Sequence, residues 1–227
     1  NLHLIINELM PLNQFIINDL SPSSPSTLVA EVQAIFKQLT YSHVPILKDQ
    51  VYLGCLSETD AYCFEPDQPL SEVFYAVEGF YVRDSSLWLD VLEAFAQNNC
   101  NIMPVLDADN NYIGYYQLID IISLFNKTPF FSEHGGFIVV EKGNTDFSFS
   151  EISQIVESND ATILGAFVSK KENDLTQITL KIGNIGLSAI LQDFRRYGYT
   201  IISGHEDDTF LKTLKERSAY LDNYLNI

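Results

Sequence analysis

"YLGCLSETDAYCF" (Tyr52–Phe64) and "YIGYYQLIDIISLF" (Tyr112–Phe125) follow one plan. Each has an aromatic residue, an aliphatic residue and a glycine, then an aspartate six residues after the glycine with apolar residues beyond. The likeness extends upstream. Leu28, Val32, Phe36 and Pro45 match Leu87, Val91, Phe95 and Pro104 at an offset of 59, while Gly54 and Asp60 match Gly114 and Asp120 at 60. The one change of offset falls between "PILKDQVYLG" and "PVLDADNNYIG". A single extra residue in a hairpin turn produces it, because turns tolerate changes of length. An internal repeat is a firmer guide to architecture than any short motif.

Each repeat reads as helix, strand, strand, helix, led by a short extended segment ("QFIIN" and "GFYVR"). In the first, Leu28, Val32, Ile35, Phe36 and Leu39 form one helical stripe. "HVPIL" and "VYLGCL" are short strands around a polar turn at Lys48–Gln50, and a second helix opens near Ser57. In the second, "SSLWLDVLEAFAQ" is the helix, "IMPVL" and "YIGYY" are strands around "DADNN", and "LIDIISLF" closes the unit. Neither half can bury its helices and sheet alone, so the two are expected to pack together.

A helix, an apolar-Pro-apolar strand, then Gly-x-apolar-Ser/Thr-x-x-Asp opening a helix resembles the cystathionine-β-synthase (CBS) domain. Two in tandem over residues 5–127 resemble a CBS pair, or Bateman module, with pseudo-two-fold symmetry. "GCLSETD" fits the pattern; "GYYQLID" departs from it, with Gln117 in the Ser/Thr position. The resemblance implies a ligand of the adenine-nucleotide class (AMP-, ATP- or S-adenosylmethionine-like) and no other cofactor. Asp60 and Asp120 would meet ribose hydroxyls. Ser57, with Gln117 as its counterpart, would sit at a phosphate seat, where free N–H groups and the helix dipole favour an anion. His43, Val44, Ile102 and Met103 would flank the base. The residues themselves leave a second reading open. Ser57-x-x-Asp60 is also a capping-box-like sequence, and a lone histidine before a strand also suits a packed or edge position.

After Phe130 the rhythm changes. "HGGFIVVEKG" gives a glycine pair and a strand. "FSFSEISQIVESND" is a helix with Ser148 as cap, Glu151 closing a capping box, and Phe147 and Ile152 as a staple. "TILGAFVSK" and "TQITLKI" are strands joined by the polar Lys170–Asp174. "NIGLSAILQDFRRYGY" is a helix capped by Asn184, with Leu187, Ile190, Leu191 and Phe194 inward, and "YTII" is the last strand. The order βαββαβ is the ferredoxin-like split motif. Over residues 136–203 it resembles an ACT domain, although the Asp-x-Pro-Gly loop of amino-acid-binding members is replaced by Lys142-Gly143-Asn144-Thr145-Asp146. A terminal helix over 207–227 carries a Leu211, Leu214, Leu221, Leu225 stripe, suited to docking on its own chain or to a subunit contact.

The expected fold is therefore α+β: CBS repeats at 1–65 and 66–134, an ACT-like domain at 135–206 and a C-terminal helix at 207–227. The whole order, with "FSEISQIVESNDATIL" and "LSAILQDFRRYGYTI", resembles the acetoin-utilisation type of bacterial CBS protein. Both resemblances imply a homodimer, and they leave any further protein partner unnamed.

The chain of 227 residues carries a net charge of −17, which argues against nucleic acid. Residues 1–134 hold 17 Asp/Glu against Lys37, Lys48, Arg83 and Lys127 as their only cations, a poor surface for a bare triphosphate. There is no apolar run long enough to span a bilayer and no signal-peptide pattern. Cys55, Cys63 and Cys100 form no CxxC pair and leave an odd thiol, which favours a reducing, cytoplasmic setting. His3, His43, His134 and His205 are scattered, and there is no P-loop or GxGxxG. No catalytic constellation is present, so the expectation is a regulatory module rather than an enzyme. An assembly protein with empty clefts is the alternative.

Overall fold

The computed structural model describes residues 12–183 and 186–204. The start of the first repeat from residue 5, His3, His205, the cap expected at Asn184 and the helix expected over 207–227 lie outside the described residues. The architecture is α+β, in two compact units that divide between Leu124 and Phe125.

The first unit contains α1 (Val29–Gln38), β1 (His43–Lys48), β2 (Val51–Ser57), α2 (Glu58–Ala61), β3 (Val82–Arg83), α3 (Trp88–Gln97), β4 (Ile102–Leu106), β5 (Tyr112–Gln117) and α4 (Leu118–Asn126). The helices bury matching positions, Val32 and Phe36 in α1 and Val91 and Phe95 in α3. Leu28 and Leu39, at the ends of the expected stripe, stay 39% exposed because they flank α1 rather than lie within it. The β1–β2 hairpin turns through Asp49 and Gln50, both at positive φ, as a two-residue turn matching strand twist requires. Leu47 pairs with Tyr52 around residues 48–51, whereas Leu106 pairs with Tyr112 around 107–111. The extra residue is absorbed by Asp107, whose carboxylate accepts from the Asp109 and Asn111 backbone N–H groups.

The leading segments lace the repeats together. Ile17 pairs with Tyr115 of the other repeat, and Ser23 pairs with Ile46 of its own. At matching positions, Glu78 pairs with Cys55 of the other repeat and Val82 with Val105 of its own. Equivalent residues also meet each other: Val51 bridges Asn111, and the Tyr52 and Tyr112 rings stack with centroids 6.1 Å apart. Such self-matching contacts are the mark of a two-fold relation. The cores are shared accordingly. Leu12 and Cys55 join the cluster built around Val91, Phe95, Met103 and Tyr116.

One expectation needs correcting. The helix opening near Ser57 is a single turn, Glu58–Ala61, whereas its counterpart α4 runs from Leu118 to Asn126. Pro66 follows α2 closely, and neither it nor the residue before it favours a continuing helix. From the start of α4 no proline follows until Pro129.

The second unit contains α5 (Pro129–Ser132), β6 (Gly135–Gly143), α6 (Phe149–Glu157), β7 (Thr162–Glu172), β8 (Leu175–Gly183), α7 (Leu187–Arg196) and β9 (Thr200–Gly204). From β6 onward the order is βαββαβ, and the antiparallel sheet runs β7-β8-β6-β9. Ile138, Val140, Ile178, Leu180 and Ile182 alternate onto one face, where Ile152, Ile155, Val156, Leu187, Ile190, Leu191 and Phe194 cover them. The β7–β8 hairpin is longer than its sequence suggests. Lys170, Lys171 and Glu172 pair with Gln177, Thr176 and Leu175, and only Asn173 and Asp174 turn, both at positive φ. Ser148 precedes α6 but makes no capping bond. Glu151 instead accepts from Lys142 Nζ at 2.7 Å, and the Ser148 N–H donates to the Tyr199 hydroxyl at 3.4 Å. Within this unit the Phe130 ring lies 5.6 Å from Phe125, 5.4 Å from Phe137 and 6.0 Å from Phe167 of β7.

Candidate ligand-binding clefts

Ser42 and Asn101 occupy equivalent places before β1 and β4, and they clasp each other. The Ser42 N–H donates to Asn101 Oδ1 at 2.8 Å, and the Asn101 N–H donates to Ser42 Oγ at 2.9 Å. Asn101 Nδ2 also donates to the Thr40 carbonyl at 2.6 Å. Ser42 lines one cleft and Asn101 another. The first, about 370 Å³, is lined by Ser42, His43, Ser57, Glu58, Thr59, Glu78, Asn98 and Asn99. The second, about 290 Å³, is lined by Thr40, Tyr41, Asn101, Gln117, Leu118, Ile119 and Ile122. Each combines residues of both repeats, and Ser57 in one stands where Gln117 stands in the other.

The chemistry of the two differs. In the first cleft Ser57 Oγ accepts from the Asp60 N–H at 3.0 Å and donates to Asp60 Oδ2 at 2.7 Å. Ser57 and Asp60 thus satisfy each other as a cap. His43 is 5% exposed. Its Nδ1 pairs with Ser42 Oγ at 2.8 Å, its Nε2 lies 3.4 Å from Glu78 Oε1, and its ring meets Phe80 edge to face. Burial lowers the His43 pKa from its ordinary value, against the opposing pull of Glu78 and Asp60. Glu58 and Glu78 leave this cleft carboxylate-rich.

The second cleft has no charged side chain in its lining. Its polar edge is a relay: Gln117 Nε2 donates to Tyr41 Oη at 3.1 Å, the Tyr41 and Tyr115 hydroxyls lie 2.8 Å apart, and Tyr115 donates to Asp19 Oδ1 at 2.5 Å. Its apolar wall is Leu118, Ile119 and Ile122 of α4, with Ile119 66% exposed.

Of the residues singled out in the sequence, His43, Ser57 and Gln117 line the clefts. Val44, Ile102 and Met103 are fully buried in the cores and line neither. Asp60 and Asp120 are half-buried beside the clefts without contributing to their lining. Tyr41, Asn101 and Glu78 escaped sequence reading. Ser42 and Asn101 do stand at the repeat offset of 59, just before the apolar-Pro strands, and that was a usable signal. Glu78 gave none, because its structural counterpart is Ile17.

No protein-family model matches the chain, and no curated protein does. Solved structures of CBS-domain pairs are similar to about half of it. A CBS domain pair/ACT domain protein from Thermotoga maritima matches at 18% identity and a TM-score of 0.46, over 51% of this chain and 96% of that one. The CBS domains of a transcriptional regulator from Streptococcus pneumoniae match at 14% and 0.45, over 51% and 98%. CBSX2 in complex with AMP matches at 17% and 0.44, over 51% and 95%. Among the described residues, no helix is long and apolar enough to cross a membrane, and no group of three His, Cys, Asp or Glu side chains is placed to hold a metal ion.

Proposed function

We propose that the first unit is a CBS-type ligand sensor that takes an adenosine compound in a cleft between its repeats. One observation carries this reading: clefts occur at equivalent places on either side of the Ser42–Asn101 clasp, each lined by both repeats. A ligand held there would touch both halves and so favour one arrangement of the pair. The adenosine class is the one the repeated Gly and Asp motifs imply by resemblance. The second unit is read as ACT-like, on the strength of its βαββαβ order and β7-β8-β6-β9 sheet. The chain as a whole is read as a regulatory, non-catalytic homodimer of the cytoplasm, of the acetoin-utilisation type.

A second reading, an assembly protein with unoccupied clefts, draws on Ser57 and Asp60 already satisfying each other. Thermal-shift screening against adenosine, AMP, ATP and S-adenosylmethionine separates the two. A ligand bound only to the folded state raises the melting temperature by mass action. A rise with any of the four supports sensing; no shift at millimolar concentration gives assembly first place.

A further inference from the structure

The two clefts are not interchangeable, and their difference narrows the ligand. We infer, on the footing of the adenosine reading above, that the Gln117 cleft alone holds the ligand and that it selects an uncharged purine nucleoside over its phosphorylated forms.

Charge separates the clefts first. Among the described residues of the first unit the cations are Lys37, Lys48 and Arg83. None lines either cleft. Arg83 is committed to the Asp107 carbonyl and to Asn110 Oδ1 on the second hairpin. A phosphate in the Gln117 cleft would meet the partial positive end of α4 but no cationic side chain, and one in the Ser57 cleft would face Glu58 and Glu78. Dehydrating a phosphate without a partner is costly, and like charges nearby add to that cost.

Apolar surface comes next. The Gln117 cleft offers Leu118, Ile119 and Ile122 as a wall and the Tyr41 ring beside it. Ile119 and Ile122 are 66% and 38% exposed, so a flat ring laid on them removes apolar area from water. The Ser57 cleft has no large aliphatic side chain in its lining and so no platform for a ring. Hydrogen bonding completes the match. The relay from Gln117 through Tyr41 and Tyr115 to Asp19 fixes the polar edge in advance. It uses the Gln117 amide nitrogen as donor and leaves the carboxamide oxygen to accept from an exocyclic amino group. At about 290 Å³ the cleft lies at the lower end of the ~300–1,000 Å³ usual for small-molecule sites, which suits one nucleoside.

Calorimetric titration of the full chain with adenosine, AMP and Mg²⁺–ATP tests this. The expected result is one adenosine per chain, with AMP and ATP weaker by about tenfold or more, the unopposed charge being worth at least ~1.4 kcal/mol. Ile119→Asp, at an exposed site where an acid suits the helix start, is expected to weaken adenosine by about tenfold or more. Glu58→Gln, in the other cleft, is expected to leave it unchanged. Circular dichroism melts confirm that both variants fold. If AMP or ATP binds more tightly than adenosine, or Glu58→Gln alters binding while Ile119→Asp does not, this inference falls and adenosine sensing stands. If none of the three binds, both fall.

Discussion

Gly54 lies directly against the backbone of Glu78: a Cβ placed on Gly54 would sit 2.7 Å from the Glu78 carbonyl oxygen and 2.5 Å from Val77 Cγ1. Gly114 is in the same position beneath the Ile17 carbonyl, with Ile16 Cγ2 at 2.7 Å from the equivalent point. Both glycines have φ near 140°, in the range side chains rarely adopt. The repeated glycine is thus where the leading segment of one repeat crosses the sheet of the other. It is a structural requirement of the lacing, and neither glycine lines a cleft.

Gly54→Ala and Gly114→Ala are therefore expected to destabilise the first unit on the order of 2–4 kcal/mol each, from backbone strain plus overpacking. Gly79→Ala is the control, because nothing lies within 4 Å of its Cβ position. It should change stability by no more than about 0.5 kcal/mol, as is usual for an open surface site. Urea unfolding of the three variants measures this.

His43 gives the stability of the first unit a pH dependence with a defined sign. An unfolded histidine titrates near ~6.5, and burial lowers that value in the folded chain. The unfolded state therefore binds the proton first, and stability falls as pH drops below about 6.5. Glu78 and Asp60 oppose the shift but do not reverse it. His43→Gln should lose less stability than the parent between pH 7.5 and pH 5. Parallel denaturation at the two pH values checks it, and equal losses would contradict it.

The three thiols should separate cleanly. Cys55 and Cys100 are buried, and burial pushes both pKa values up to about 12. Cys63 is exposed. A colorimetric thiol reagent at pH 8 should therefore titrate one cysteine in the native protein and three after denaturation. Loss of the fast thiol in Cys63→Ser assigns it.

The repeat, its hairpins and the order of the second unit were readable because periodicity and turn chemistry are local. The changed offset even located the longer turn at Asp107. What escaped reading depends on partners distant in sequence. The Ser148–Glu151 box fails because Lys142 claims Glu151. The helix after Ser57 stops short of Pro66, a local signal weaker than the repeat pattern it shares with α4. The clefts were half readable: motif residues such as Ser57 and Gln117 reach them. Tyr41, Asn101 and Glu78 come from flanking or crossing segments, whose placement only long-range pairing decides.

A ligand seated between the repeats is tested most directly by amide chemical-shift mapping of the ¹⁵N-labelled chain. On adding adenosine, the largest shifts should fall on Thr40–Ser42, Asn101 and Gln117–Ile122, with smaller changes along the Tyr115–Asp19 relay. The Glu58 and Thr59 amides should stay in place. Shifts confined to the second unit, or an unchanged spectrum at millimolar adenosine, would contradict it.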